Sequence, residues 1–189
     1  MPIERSAGGG GGAAGGLTKL VDVTLGADAA TITTGANAIA AGHIAIWVVA
    51  QLKTAYLASW VDDVAMTFNG DGGANYDLGE VFTNSTGTNS SNSGAAATSI
   101  KYIAPASNGG TQNYFSTTQF VIVEYDSTAH WKTGTGSTNT LDTGAASQNA
   151  TESFGFGWRS TAAINQITFS SSHGSNVKSG SRIIVYGLS

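Results

Sequence analysis

The sequence predicts an all-β protein: a single jelly-roll-like antiparallel β-sandwich with an extended Gly-rich N-terminal arm. Short segments rich in β-branched and aromatic residues recur along the chain, and stretches of Gly, Ser, Thr and Asn separate them. No segment has a convincing helical period. Turn-rich all-β chains of this length close as sandwiches or barrels, and we favour the sandwich. We expect the arm over residues 1–16 and one sandwich domain over residues 17–189.

The arm is predicted from its composition. Residues 7–16 read AGGGGGAAGG, so they have no large side chain to pack and much backbone entropy to lose on ordering. Two interpretations stay open: a flexible tail, or an arm that docks on a neighbouring molecule. For the second, the candidate partner-binding residues are Ile3, Glu4, Arg5, Gly10 and Gly16.

Three or four strands are predicted in roughly the first third of the chain. Residues 17–25 alternate imperfectly and are followed by residues 30–34, and together they give a short strand or a strand pair. Residues 44–53 are β-branched and aromatic, which favours a strand, although Ala and Leu further along leave a helix possible. Residues 64–68 alternate strictly and run into NGDGGANY, where Asn-Gly and Gly-Gly permit a tight reversal.

The middle of the chain alternates between predicted strands and predicted loops. Residues 83–98 contain no apolar side chain larger than Ala, so we expect a surface loop there. Strands are expected at residues 99–104 and 119–125. Residues 130–150 are predicted to be mostly loop, with Trp131 as their one large anchor.

The clearest strand patterns lie near the C-terminus. In residues 153–159 three aromatic side chains share one face, and two glycines on the other face allow another group to approach closely. A strand follows over residues 164–169, in which Ile164 is out of phase and suggests a β-bulge. Residues 182–188 have apolar groups on both faces, so this last strand is predicted to be covered on both sides, or nearly so.

Composition restricts the classes of function. Charged residues make up 11% of the chain, against about 25% on average, so Ser, Thr, Asn and Gly must cover much of the surface. The net charge is −4 and the eight Lys and Arg are scattered, which argues against a nucleic-acid partner. The chain has no cysteine, no signal-peptide pattern and no membrane-span run. We expect synthesis in a cytoplasm and no membrane partner.

No pattern in the sequence predicts an active site. Three histidines and twelve acidic residues offer many pairs, but no GxSxG motif exists and solvated carboxylates are the simpler interpretation. We therefore expect no enzymatic activity, no catalytic residue and no cofactor. One Gly-rich turn offers oxygen ligands for calcium, although its spacing departs from that of an EF-hand loop. These weak calcium candidates are Asn69, Asp71, Asn75 and Asp77.

Several short motifs resemble tailed-bacteriophage virion proteins. They are FNGD followed by Tyr76, the strand QFVIVEY, Trp158 followed by TAAINQITF, and the ending GSRIIVYGL. The group that they resemble contains small jelly-roll-like sandwich proteins, found as capsid decoration (cement) proteins or as modules of tails and fibres. The resemblance covers residue 17 to the end. A common ending of that group, Gly-Ser-x-Ile-x-Leu/Val-Tyr-Gly, is matched by Gly180, Ser181, Ile183, Val185, Tyr186 and Gly187.

The resemblance implies a non-enzymatic structural protein of the virion. The expected role is decoration: the protein binds the major capsid protein, self-associates as a homotrimer and stabilises the head shell. The alternative is a tail or fibre component that attaches to a host glycan through Trp131 and the loops 83–98 and 132–148. The other tryptophans considered for sugar stacking are Trp47, Trp60 and Trp158.

Overall fold

The chain has the predicted fold class. A computed structural model describes residues 15–59, 61–84, 89–103, 106–107, 114–141 and 149–189. These residues form strands without any helix, and the strands build two sheets that pack as a sandwich. The strands are β1 (Leu17–Thr24), β2 (Thr31–Thr33), β3 (Ala45–Thr54), β4 (Val64–Phe68), β5 (Tyr76–Asn84), β6 (Asn89–Ala97), β7 (Ile100–Ile103), β8 (Ala106–Ser107), β9 (Ser116–Val123), β10 (Lys132–Leu141), β11 (Asn149–Trp158), β12 (Ile167–Ser171) and β13 (Arg182–Leu188).

The two sheets differ in width. The larger sheet has the order β1-β13-β3-β9-β10-β11-β5-β6, with β8 as a short parallel addition to β3, and the smaller sheet has the order β2-β12-β4-β7. The pairing is nested, since β1 pairs with β13, β2 with β12, β3 with β9 and β4 with β7. The hairpins β5-β6 and β10-β11 widen the larger sheet. Because the first strand pairs with the last, the sandwich closes only when the C-terminal strand is in place.

An aromatic cluster joins the two sheets. The ring of Phe68 on β4 lies 5.8 Å from the ring of Phe156 and 5.5 Å from that of Trp158, both on β11. Phe120 on β9 meets Phe156 edge to face at 5.6 Å. Phe154, Phe156 and Trp158 therefore share the buried face of β11, as the alternation predicts.

Two glycines of β10 leave space for this cluster. A Cβ at Gly134 would lie 2.3 Å from Cζ of Phe156, and a Cβ at Gly136 would lie 2.3 Å from the carbonyl oxygen of Gln119. We predicted that another group approaches the glycines of β11 closely. That prediction was wrong, because the close approach is at the glycines of β10. Gly155 and Gly157 point away from the core, and a Cβ at either would meet no atom nearer than 3.9 Å.

The prediction that the last strand, β13, is covered on both faces, or nearly so, is confirmed. On its core face Ile183 and Val185 are fully buried between β1 and β3, while Ile184 and Tyr186 on the opposite face are half-buried. The bulge suggested by Ile164 was wrong, because β12 begins only at Ile167. Ile164 is buried in the preceding segment, where its N–H donates to the carbonyl oxygen of Tyr125 at 2.8 Å.

Two predicted loops are largely strands. Within residues 83–98, β5 continues to Asn84 and β6 occupies Asn89–Ala97; within residues 130–150, β10 and the start of β11 form a hairpin. These segments have few large apolar side chains, so their ladder hydrogen bonds and neighbouring strands hold them in the sheet. Residues 85–88 and 142–148 lie outside the described residues, as do residues 1–14 of the arm.

Candidate functional site

The side of the larger sheet that points away from the core forms a broad surface, here called the outer face. Strand register arranges its side chains in rows that cross all eight strands. One row is Lys19, Tyr186, Trp47, Val121, Thr135, Gly155, Gly79 and Ser93. The next row is Asp22, Ile184, Val49, Gln119, Ser137, Ser153, Val81 and Ser91.

Apolar side chains are concentrated in one half of the outer face. The rings of Trp47 and Tyr186 stack with centroids 5.5 Å apart, and Val123 of β9 is 61% exposed. A groove of about 510 Å³ lies beside Trp47, between it and the exposed side chain of Leu17 on β1. The other residues that line it are Gly15, Gly16, Val121, Leu188 and Ser189. Apolar groups gathered on a protein's surface in this way are typical of a surface that contacts a partner.

The other half of the outer face is mostly polar and small. The outward positions of β10 and β11 carry Thr, Ser, Asn and Gly, apart from the exposed Leu141. Gly155 and Gly79 face each other across the β11–β5 pair, and a Cβ at Gly79 would meet no atom within 4 Å. This pair of glycines makes a shallow depression in the same row as Trp47 and Tyr186.

Charged side chains on the outer face lie toward its edges. Near the free edge of β1, Arg182 donates to both carboxylate oxygens of Asp22 at 2.8 and 2.7 Å, and Lys19 donates to it at 3.0 Å. These hydrogen bonds hold the pKa of Asp22 well below its usual range. At the other side, Arg159 pairs with Asp77 and lowers the pKa of that carboxyl.

The four weak calcium candidates use their side chains to hold a turn. Asp71 accepts hydrogen bonds from Trp158 Nε1 at 2.7 Å, Asn75 Nδ2 at 2.9 Å and the Gly73 N–H at 2.8 Å, which lower its pKa. Asn69 Oδ1 accepts from the backbone N–H groups before β12, and Asp77 is engaged by an arginine. In the described part of the chain, no group of three or more His, Cys, Asp or Glu side chains could hold a metal ion.

The other candidate residues are widely separated. Trp131 lies just before β10 and is 63% exposed, so its ring is accessible. Gly16 lines the apolar groove, while Trp158 belongs to the core. Ile3, Glu4, Arg5, Gly10 and Trp60 lie outside the described residues.

A buried carboxylate cluster is the feature that sequence reasoning missed. The half-buried Asp63 and the buried Glu80 and Glu152 line a cavity of about 250 Å³ between the segment before β4 and strands β5, β6 and β11. Treating the carboxylates as solvated was wrong for Asp62, Glu80 and Glu152, which are 1%, 8% and 2% exposed. Burial raises the pKa of Glu80 and also that of Asp63. The signal was present, because Glu152 has the same parity as Phe154 on β11 and therefore faces the core.

Two histidines make polar contacts at opposite ends of β3. His173 Nδ1 lies 2.7 Å from Oδ1 of the buried Asp62, and its ring stacks on Tyr56 with centroids 4.2 Å apart. His43 Nδ1 lies 2.8 Å from the hydroxyl oxygen of Ser189. Since the two pairs are separated by the length of a ten-residue strand, they do not form one Ser-His-Asp arrangement.

Comparison with protein-family models, with curated proteins and with solved structures finds no match for this chain. Among the residues that the structure describes, no helix is long and apolar enough to cross a membrane. Any inference about function from the structure therefore rests on the geometry of the outer face. The outer face offers a wide, weakly charged surface suited to packing against another protein.

Proposed function

We propose that the chain is a non-enzymatic structural protein of a tailed-bacteriophage virion, most specifically a capsid decoration protein that binds and stabilises the head shell. The observation that carries the proposal is the outer face, which combines an apolar groove, a stacked aromatic pair and uncharged polar strands. The nested strand pairing is that expected of a jelly roll, which supports the resemblance of the sequence motifs to this group.

The proposed role follows from repeated contact. In a shell each contact is repeated many times, so a face with few charges avoids accumulating like-charge repulsion. The proposed partner is the major capsid protein, with the arm of residues 1–16 lying along a neighbouring subunit. The resemblance also implies a homotrimer. The protein then acts in the virion after synthesis in the host cytoplasm, and needs no cofactor.

Immunogold electron microscopy of the encoding virus tests this proposal, with antibody raised against residues 17–189. Gold over the icosahedral head is the expected result. Unlabelled particles, in lysates where the protein is detected, would overturn the virion assignment. For the arm, a chain lacking residues 1–16 should remain folded but lose affinity for heads that lack the protein; unchanged affinity would refute the role given to the arm.

The second candidate is a tail or fibre component that binds a host glycan. It is favoured by one observation, the exposed ring of Trp131, because an accessible indole can stack on a sugar. Gold at the tail tip and saturable binding to host cells, lost in Trp131→Ala, would select this function. Leu57→Ala is the matched control, since Leu57 is also exposed but lies elsewhere. Equal binding by the two variants would exclude Trp131 as the contact.

A further inference from the structure

We propose that the outer face binds a second copy of the chain through the same face, about a two-fold axis. The inference deepens the proposed function and rests on it, because it takes the outer face as an assembly surface; it assigns that face to self-association and leaves contact with the capsid protein to the arm of residues 1–16. The axis would run parallel to the strands and pass between β9 and β10, at the middle of the eight-stranded order. Such a contact is isologous: each residue pair occurs twice across the interface.

The axis matches large side chains with small ones. It exchanges β3 with β11 and β13 with β5. In the first row Trp47 then lies opposite Gly155 and Tyr186 opposite Gly79, so the stacked aromatic pair enters the depression left by two glycines. In the second row Ile184 lies opposite Val81, a valine that is 56% exposed in the single chain.

The charges are also compatible with this pairing. The outward residues of β9, β10 and β11 are uncharged, so no charge is buried at the centre of the contact. Arg182 on β13 and Asp77 on β5 lie one strand in from the edges, where they keep their intrachain ion pairs with Asp22 and Arg159. Lys19 and Asp22 lie on β1, which the axis places opposite β6 at the rim. There they face Ser93 and Ser91 while keeping their intrachain ion pair.

The area is sufficient for a stable pair. Eight strands about 4.8 Å apart, with four outward residues about 6.8 Å apart on each, span roughly 700 Å² per copy. A standard stable interface buries about 800 Å² per partner, so the face is close to that size before the loops at its rim are included. Two sheets packed face to face through such side chains is the ordinary geometry of a β-sandwich.

The decisive variant is Gly79→Tyr. A side chain at this position has open space in the single chain, and its φ is not in the left-handed region, so the variant is expected to fold. Its ring would fill the depression that receives Tyr186 of the second copy. Gly94→Tyr is the matched control, because Gly94 lies on the adjacent strand with no atom within 4 Å of its Cβ, but points to the other side of the sheet.

Sedimentation velocity over a concentration series measures the association. The wild-type chain and Gly94→Tyr should sediment as dimers at micromolar concentration, and Gly79→Tyr should weaken association by at least about tenfold. Val81→Lys provides a second variant at an exposed position, with the same expected loss. A monomeric wild type, a trimer, or dimers that survive both substitutions would each overturn the inference.

The experiments distinguish a failure of the proposed virion function from a failure of the proposed self-association. A dimer that is lost in Gly79→Tyr, from a protein that is absent from virus particles, would retain the self-association and reject the virion function. A monomer that nevertheless binds phage heads would reject the self-association and retain the virion function. A dimer also differs from the homotrimer implied by the sequence resemblance, and the sedimentation experiment decides between those stoichiometries.

Discussion

Gly134→Ala is expected to destabilise the fold because the aromatic cluster occupies the space of a Cβ. The added carbon would lie 2.3 Å from Cζ of Phe156, whereas ordinary carbon contacts are about 3.5–4.0 Å, so the ring must move by about 1 Å or more. It has little freedom to do so, since the rings of Phe68 and Phe120 pack against it. Overpacking of this kind costs about 1–3 kcal/mol, and the gain from replacing a strand glycine offsets about 0.5–1 kcal/mol of that.

The measurement is urea unfolding followed by tryptophan fluorescence, with a thermal scan. The net loss of about 1–2 kcal/mol corresponds to a fall in Tm of about 2–8 °C for a chain of this size. Gly94→Ala is the control, because it adds a methyl group to a strand glycine with no atom within 4 Å. Adding Phe156→Leu to Gly134→Ala should relieve the clash, giving a coupling energy of about 0.5 kcal/mol or more. Equal stability of Gly134→Ala and Gly94→Ala would refute the steric argument. Additive effects of Gly134→Ala and Phe156→Leu in the double-mutant cycle would also refute it.

Two further predictions concern buried charged groups. Because burial raises the pKa of Glu80, wild-type stability should fall as pH rises from the usual Glu range of about 4.3 through the raised value. Glu80→Gln should flatten that fall in urea unfolding at several pH values, while the exposed Glu124→Gln leaves it unchanged; identical profiles for both variants would contradict the assignment. Lys132→Met should lose about 1–3 kcal/mol, because the buried Nζ donates to the carbonyl oxygens of Ser127 and His130, each at 2.7 Å; wild-type stability would show that water replaces the ammonium group.

How well each strand could be predicted depended on what its side chains bury. β4 was found from sequence because apolar side chains alternate along it, β13 because apolar side chains occupy both of its faces, and β11 because three aromatic residues share one parity. β6 and β10 were missed, since their residues are mostly Ser, Asn, Thr, Gly and Ala and their place in the sheet comes from neighbouring strands. The strand propensity of a segment does not depend on which strands lie beside it in the sheet, so it could not predict β6 and β10.

The outer face could not be predicted as a site because it exists only through register. Trp47 and Gly155 are more than one hundred residues apart in sequence, and only the pairing of β3, β9, β10 and β11 places them in one row. The sequence did point to the low charge of the surface, but not to where the charges lie. The parity of Glu152 on β11 was readable from sequence and was overlooked.

The distribution of charge supports assembly through the outer face independently of any resemblance. A solitary sandwich is expected to place carboxylates outward and apolar side chains inward. Here Asp62, Glu80 and Glu152 are buried, whereas the outward positions of β9, β10 and β11 carry none. Acidic residues are thus absent from the centre of the outer face and retained where burial makes their ionisation costly. Coverage of the outer face in the assembly explains the absence of charge at its centre, because an unpaired charge there would lose its hydration.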